Sequence, residues 1–135
     1  MIYLTRKEHF NAAHRLYNPA LSEQENEALF GKCANRNYHG HNFDLLVTVK
    51  GNPDPKTGFV MNAQHLSRLI RREVVERLDH RNLNTEVEEL NGVLCSTENV
   101  AVQIWQWLEP HLEGCHLHCV KLQETENIFV EYFGP

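Results

Sequence analysis

No run of about 18 apolar residues occurs in the 135-residue chain, so no segment could cross a bilayer as a helix. The opening stretch Met1-Ile2-Tyr3-Leu4-Thr5-Arg6-Lys7 lacks the basic-then-apolar layout of an export signal. The expectation is therefore a cytoplasmic protein whose four cysteines (Cys33, Cys95, Cys115 and Cys119) are thiols rather than disulfide partners. Internal repeats, low-complexity segments and a Gly-x-Gly-x-x-Gly dinucleotide fingerprint are all missing. Positive charge is also short. Thirteen Lys and Arg against 18 Asp and Glu leave a net charge of −5, which argues against a broad nucleic-acid-binding face.

What remains is ordinary in bulk: 41% hydrophobic and 23% charged residues, in a length that suits one domain over residues 1–135. Histidine is not ordinary. Nine are present, and two stand in the stretch Cys33-Ala-Asn-Arg-Asn-Tyr-His-Gly-His-Asn-Phe43. On a strand, residues i and i+2 share a face, so His39 and His41 are placed to grip one ion. Phe43, Leu45, Val47 and Val49 alternate with Asp44, Leu46, Thr48 and Lys50, which predicts that strand and runs it to about Gly51.

A first strand is expected over 2–14, and a short helix from Ser22 to Leu29, where Ser22-Glu23-Gln24-Glu25 has capping-box form. Asn62 suits the N-cap of a helix over 62–78, with Leu66, Leu69, Ile70, Val74 and Leu78 on one side. Ser96 or Thr97 suits the cap of a second helix over 97–112. The tail alternates as a hairpin about a turn at Glu124–Asn127. Strand, strand, helix, helix, strand, strand predicts an α+β domain: a four-stranded antiparallel sheet with two helices on one face, in the order ββααββ.

His14, at the end of the first strand, is the proposed third ligand beside His39 and His41. Three imidazoles with an open fourth position suit a catalytic zinc ion. The other reading is of exposed strand histidines. Cys33 stands between Lys32 and Arg36, surroundings that favour a thiolate, although buried inert thiols are common. Asp79-His80 offers an imidazole to exchange a proton with that thiol and a carboxylate to orient it, or simply a helix end. Glu124 reads as a solvated turn acid or, if buried, as a bidentate acceptor for an amino-imino edge. In Cys115-His-Leu-His-Cys119, alternation sends Cys115, Leu117 and Cys119 inward and His116 and His118 outward, so no metal cluster is expected there.

Six motifs in order resemble the 6-pyruvoyl-tetrahydropterin synthase family: Phe10-Asn-Ala-Ala-His14, Cys33-x5-His39-Gly-His41-Asn42, Asp54-Pro55-x2-Gly58, Leu78-Asp-His80-x-Asn82-Leu83, Ser96-Thr-Glu-Asn99 and Glu124-Thr125. The resemblance covers nearly the whole chain. It implies a tunnelling fold, three chains closing a barrel and two trimers stacking into a homohexamer with active sites between subunits. It also implies 7,8-dihydroneopterin triphosphate as substrate and Zn2+ held by His14, His39 and His41. Cys33, Asp79 and His80 become catalytic, Glu124 anchors the pterin's guanidine-like edge, and Ser96, Thr97 and Glu98 line its pocket. The product implied is 6-pyruvoyl-tetrahydropterin. The rival within the family is 6-carboxy-tetrahydropterin synthase of the queuosine (deazapurine) route, in which the gap between the cysteine and His-Gly-His is typically shorter. A non-catalytic zinc-binding module and a zinc hydrolase stand further off. Arg15, Lys32, Arg36 and Lys121 are the candidate cations for a triphosphate.

Overall fold

Two long strands carry the architecture. In the computed structural model, which describes all residues from Met1 to Pro135, β1 (Ile2–His14) and β2 (His39–Gly51) pair antiparallel along their whole length, from Ile2↔Gly51 to His14↔His39. Their apolar sets fall on one face: Phe10 and Ala12 from β1, and Phe43, Leu45, Val47 and Val49 from β2, are all buried. A one-residue slip would turn that whole set to solvent, so the alternation fixes the register.

Between these strands lie α1 (Glu23–Phe30) and a tight 3-10 turn (Gly31–Ala34). Ser22 caps α1 by accepting the Glu25 N–H at 3.1 Å. After β2, Asn62 accepts the Gln64 N–H at 2.8 Å and opens α2 (Ala63–Ile70). This helix continues through a π turn (Arg71–Val75) and a last α turn (Glu76–Leu78). Ser96 caps α3 (Thr97–Leu108), which ends in a 3-10 turn at Glu109–His111. The buried faces of α2 and α3 close over Phe10, Phe43, Leu45 and Val120 in a single apolar cluster.

The sheet departs from the expected four antiparallel strands. It has five, in the order β3-β1-β2-β4-β5, where β3 is Arg81–Asn82, β4 is His116–Thr125 and β5 is Ile128–Tyr132. β3 lies parallel to β1 opposite Ala12 and Ala13, so the sheet is mixed, and the short helix expected from Ser22 to Leu29 makes a third beside the two of the ββααββ order. Two residues are too few to show a period, so β3 left no trace in the sequence pattern. Cys119 is a second correction. A bulge at His118 of β4, opposite the Thr48–Val49 step of β2, shifts the register, placing Cys119 opposite Thr48 and Val120 opposite Val47. Val120 therefore takes the inward position. Cys119, although buried, lies on the open face of the sheet outside the apolar cluster.

Candidate active site

The same alternation that buries Phe10 and Phe43 carries His14, His39 and His41 onto the core face, just past the end of the apolar layer. Their rings pack mutually, with centroids 4.6 Å apart for His14 and His39, 4.9 Å for His39 and His41, and 5.2 Å for His14 and His41. Glu124 completes the group from β4. One donor atom from each of the four residues lies within 4.8 Å of all the others.

Glu124 Oε1 stands 3.2 Å from His14 Nε2 and 3.1 Å from His41 Nε2. Yet His14 Nε2, His39 Nδ1 and His41 Nε2 are buried without hydrogen-bond partners. The atoms converge on a common point rather than pairing in hydrogen-bond geometry. Buried polar atoms rarely stay unmatched, and three at one spot fit a shared cation.

Protonation and orientation agree with this. Burial, the largest influence on each ring, holds His14, His39 and His41 below the ordinary imidazole value of 6.5, so all three are neutral, as ligation requires. His14 Nδ1 lies 2.6 Å from the Cys95 carbonyl oxygen. Donation of the Nδ1 proton to that carbonyl leaves the Nε2 lone pair aimed into the cluster. A backbone acceptor has no side-chain signature, so sequence reasoning missed Cys95. Its thiol is inert, pushed up to about 11 by burial. This bond also ties the Ser96-Thr97-Glu98 turn to the histidines. There Ser96 serves as a cap, Thr97 is buried, and Glu98 is exposed with no ion-pair partner.

Glu124 shares the face of Leu122 by strand alternation, which turns its carboxylate to the imidazoles, and a bulge in the β4–β5 pairing falls between Gln123 and Thr125.

Asp79 and His80 form a built pair on the far side of β1. Asp79 Oδ1 accepts the Asn11 N–H at 2.8 Å, and Asp79 Oδ2 lies 2.9 Å from His80 Nδ1. The Asn11 hydrogen bond is the leading cause holding Asp79 below the usual carboxylate value. His80 takes a left-handed backbone (φ 59°), donates its N–H to Asn11 O and exposes its ring. With Asn11, Asn42 and Asp44 the pair lines an open cavity of about 730 Å3.

Cys33 is elsewhere. It lies on the 3-10 turn, where its carbonyl accepts the Leu16 N–H at 2.8 Å. Its thiol belongs neither to the four-residue cluster nor to any hydrogen bond with Asp79 or His80. The two attachment points are Asn11, within β1, and Leu16, two residues past its end.

Comparison with known proteins turns this geometry into a lineage. Residues 3–135 match the family described as 6-pyruvoyl tetrahydropterin synthase. The chain is 47% identical to a 6-pyruvoyl tetrahydrobiopterin synthase of Pongo abelii and 46% identical to that of Homo sapiens, in each case across 97% of this chain and 90% of the relative. The chain belongs to the 6-pyruvoyl tetrahydropterin synthase family. The family fold is evident too: a Caenorhabditis elegans 6-pyruvoyl tetrahydropterin synthase superimposes with a TM-score of 0.94 at 35% identity, covering 99% of this chain and 96% of that one. A 6-carboxy-5,6,7,8-tetrahydropterin synthase of Rickettsia typhi is 25% identical across 97% of this chain.

Proposed function

We propose that this chain is a lyase that converts 7,8-dihydroneopterin triphosphate to 6-pyruvoyl-tetrahydropterin with loss of triphosphate. The observation that carries the reading is the convergence of three partnerless imidazole nitrogens, in a family member whose pyruvoyl-forming relatives are far nearer than a carboxy-forming one.

Three neutral imidazoles and a carboxylate oxygen are a donor set that suits zinc, with His14, His39 and His41 as ligands and Glu124 beside them. When bound, zinc would polarise the side-chain oxygens of the substrate and acidify the adjacent C–H. Glu124 anchors the guanidine-like edge of the pterin, and Ser96, Thr97 and Glu98 at the start of α3 line its pocket.

Cys33 and His80 move protons on and off the side chain, and Asp79 holds the His80 ring in place. Because Cys33 and His80 stand apart in one chain, a complete site takes the thiol of one copy and the Asp79–His80 pair of another. Open sheet edges support such an assembly. β3 covers β1 only at Ala12 and Ala13, and the outer edge of β5 is bare, with Ile128 and Phe129 exposed. Pairing β5 of one copy with β1 of the next would close a ring of three, and two rings would make the homohexamer.

The test is incubation of zinc-loaded protein with 7,8-dihydroneopterin triphosphate and identification of products by mass. The expected products are 6-pyruvoyl-tetrahydropterin and inorganic triphosphate. A 6-carboxy product with a released two-carbon aldehyde, or no conversion, would overturn the reading.

A further inference from the structure

The cavity beside α1, about 550 Å3 in volume, gathers three of the four candidate cations, Arg15, Lys32 and Arg36, together with Tyr17, Glu23 and Glu27. The fourth, Lys121, is occupied elsewhere, 3.7 Å from Glu131 and 3.7 Å above the Phe129 ring. In a chain of net charge −5, most Lys and Arg side chains are within ion-pair reach of a carboxylate. Five are not, and two of those five, Arg15 and Lys32, line this cavity.

Arg15 is held in place before any ligand arrives. Its N–H donates to Asn84 Oδ1 at 2.9 Å, and its carbonyl accepts from Asn84 Nδ2 at 3.1 Å. Its guanidinium lies 4.0 Å over the Tyr17 ring and 5.7 Å from that of Tyr38. Such a stacked guanidinium keeps its donor edge free for phosphate oxygens. Arg36 pairs with Glu23, but both side chains are largely exposed (74% and 67%). An ion pair in water is worth little and gives way readily to a multiply charged anion. Glu27 is the remaining acid of the lining.

Position adds a further argument. Lys32 and Ala34 of the lining flank Cys33, whose carbonyl accepts the N–H of Leu16 next to Arg15, so the cavity lies at the Cys33 turn, and Arg15 follows the ligand candidate His14 in the chain. In the substrate class named above, the phosphate ester stands on the carbon next to the hydroxyl-bearing carbons. A cavity for the triphosphate must therefore border the groups that act on those hydroxyls.

We infer that the Arg15–Lys32–Arg36 cavity binds the triphosphate of the substrate and sets the requirement for a phosphorylated side chain. The inference rests on the proposed pterin triphosphate reading, and its test separates the two. The probe is inorganic triphosphate, titrated calorimetrically into the zinc-loaded wild type, a Lys32→Ala/Arg36→Ala double variant and a Lys121→Ala control. Metal content and thermal unfolding are checked for all three. The wild type and control should bind it, more weakly as salt rises, and the double variant should lose about tenfold to hundredfold in affinity. Undiminished binding by the double variant, equal weakening by the control, or no binding by the wild type would overturn the inference. Turnover then apportions the result. An unchanged KM for pterin triphosphate in the double variant removes the cavity and leaves the reaction standing. Loss of triphosphate binding in the double variant, with no pterin conversion by the wild type, keeps the cavity and removes the reaction.

Discussion

The histidine cluster and the thiol–imidazole pair are built on opposite plans. His14, His39 and His41 come from two paired strands, Glu124 from a third, and the cluster is complete within one chain. Cys33 sits on a loop turn and His80 beside Asn11 of β1, each tied down by its own backbone hydrogen bond and sharing none with the other. The part of the site that needs several converging donors is set by sheet register, which a single chain can enforce. In the proposed function the part that exchanges protons is divided between chains, and pairing at the bare sheet edges would join it. The division predicts that the two regions fail differently when altered.

Breaking the cluster should cost most. His39→Ala removes one of three ligands, so metal measured by mass spectrometry should fall from about one ion per chain towards none. Turnover should fall about a thousandfold or more, the several kcal/mol that a catalytic ion supplies. Cys33→Ala should lower kcat by about 10²–10⁴ while metal stays bound, since the thiol lies outside the cluster. Metal loss in that variant would make the thiol a ligand contributed by a neighbouring copy, and would merge the two regions.

Asp79→Asn keeps an oxygen for the Asn11 N–H but withdraws the charge facing His80. A loss of about tenfold to hundredfold in kcat is expected, with metal content unaltered and unfolding temperature nearly so.

The smallest effect concerns the scaffold that delivers Asp79. Glu73, buried in the π turn, accepts from Arg72 at 2.7 Å and from Arg77 at 2.8 Å. Those contacts, the Arg72 hydrogen bond foremost, hold it below its ordinary value of 4.5. Between its folded and unfolded values the unfolded chain binds more protons. The stabilisation is therefore complete above about 4.5 and is lost as pH falls through the folded value. Glu73→Gln should flatten the acid limb of a thermal-stability profile and leave metal content unchanged. An unaltered acid limb would remove Glu73 from this role.

Much of this was legible in the residues, for reasons the structure makes plain. A period of two is strict over β1 and β2, so the shared face of His39 and His41, and the reach of His14 to them, follow from spacing once the strands pair. What escaped notice breaks periodicity or has no side-chain signal. β3 is two residues long, the bulge near Cys119 reverses a parity, and the π turn hides inside an ordinary-looking helical stripe. The Cys95 carbonyl that sets the His14 tautomer has no spelling at all. Glu124 shares the parity of Leu122 on β4, so its face follows from alternation as well.

The most direct test of the divided site is complementation between two defective chains. Cys33→Ala and His80→Ala variants, each nearly inactive alone, are unfolded together, reassembled with zinc and assayed on pterin triphosphate. The account predicts that activity returns, to about a quarter of wild type for random mixing, because some sites then draw Cys33 from one chain and His80 from another. If the mixed assemblies form and remain as inactive as their parents, the thiol and imidazole must act within one chain, and the account is wrong.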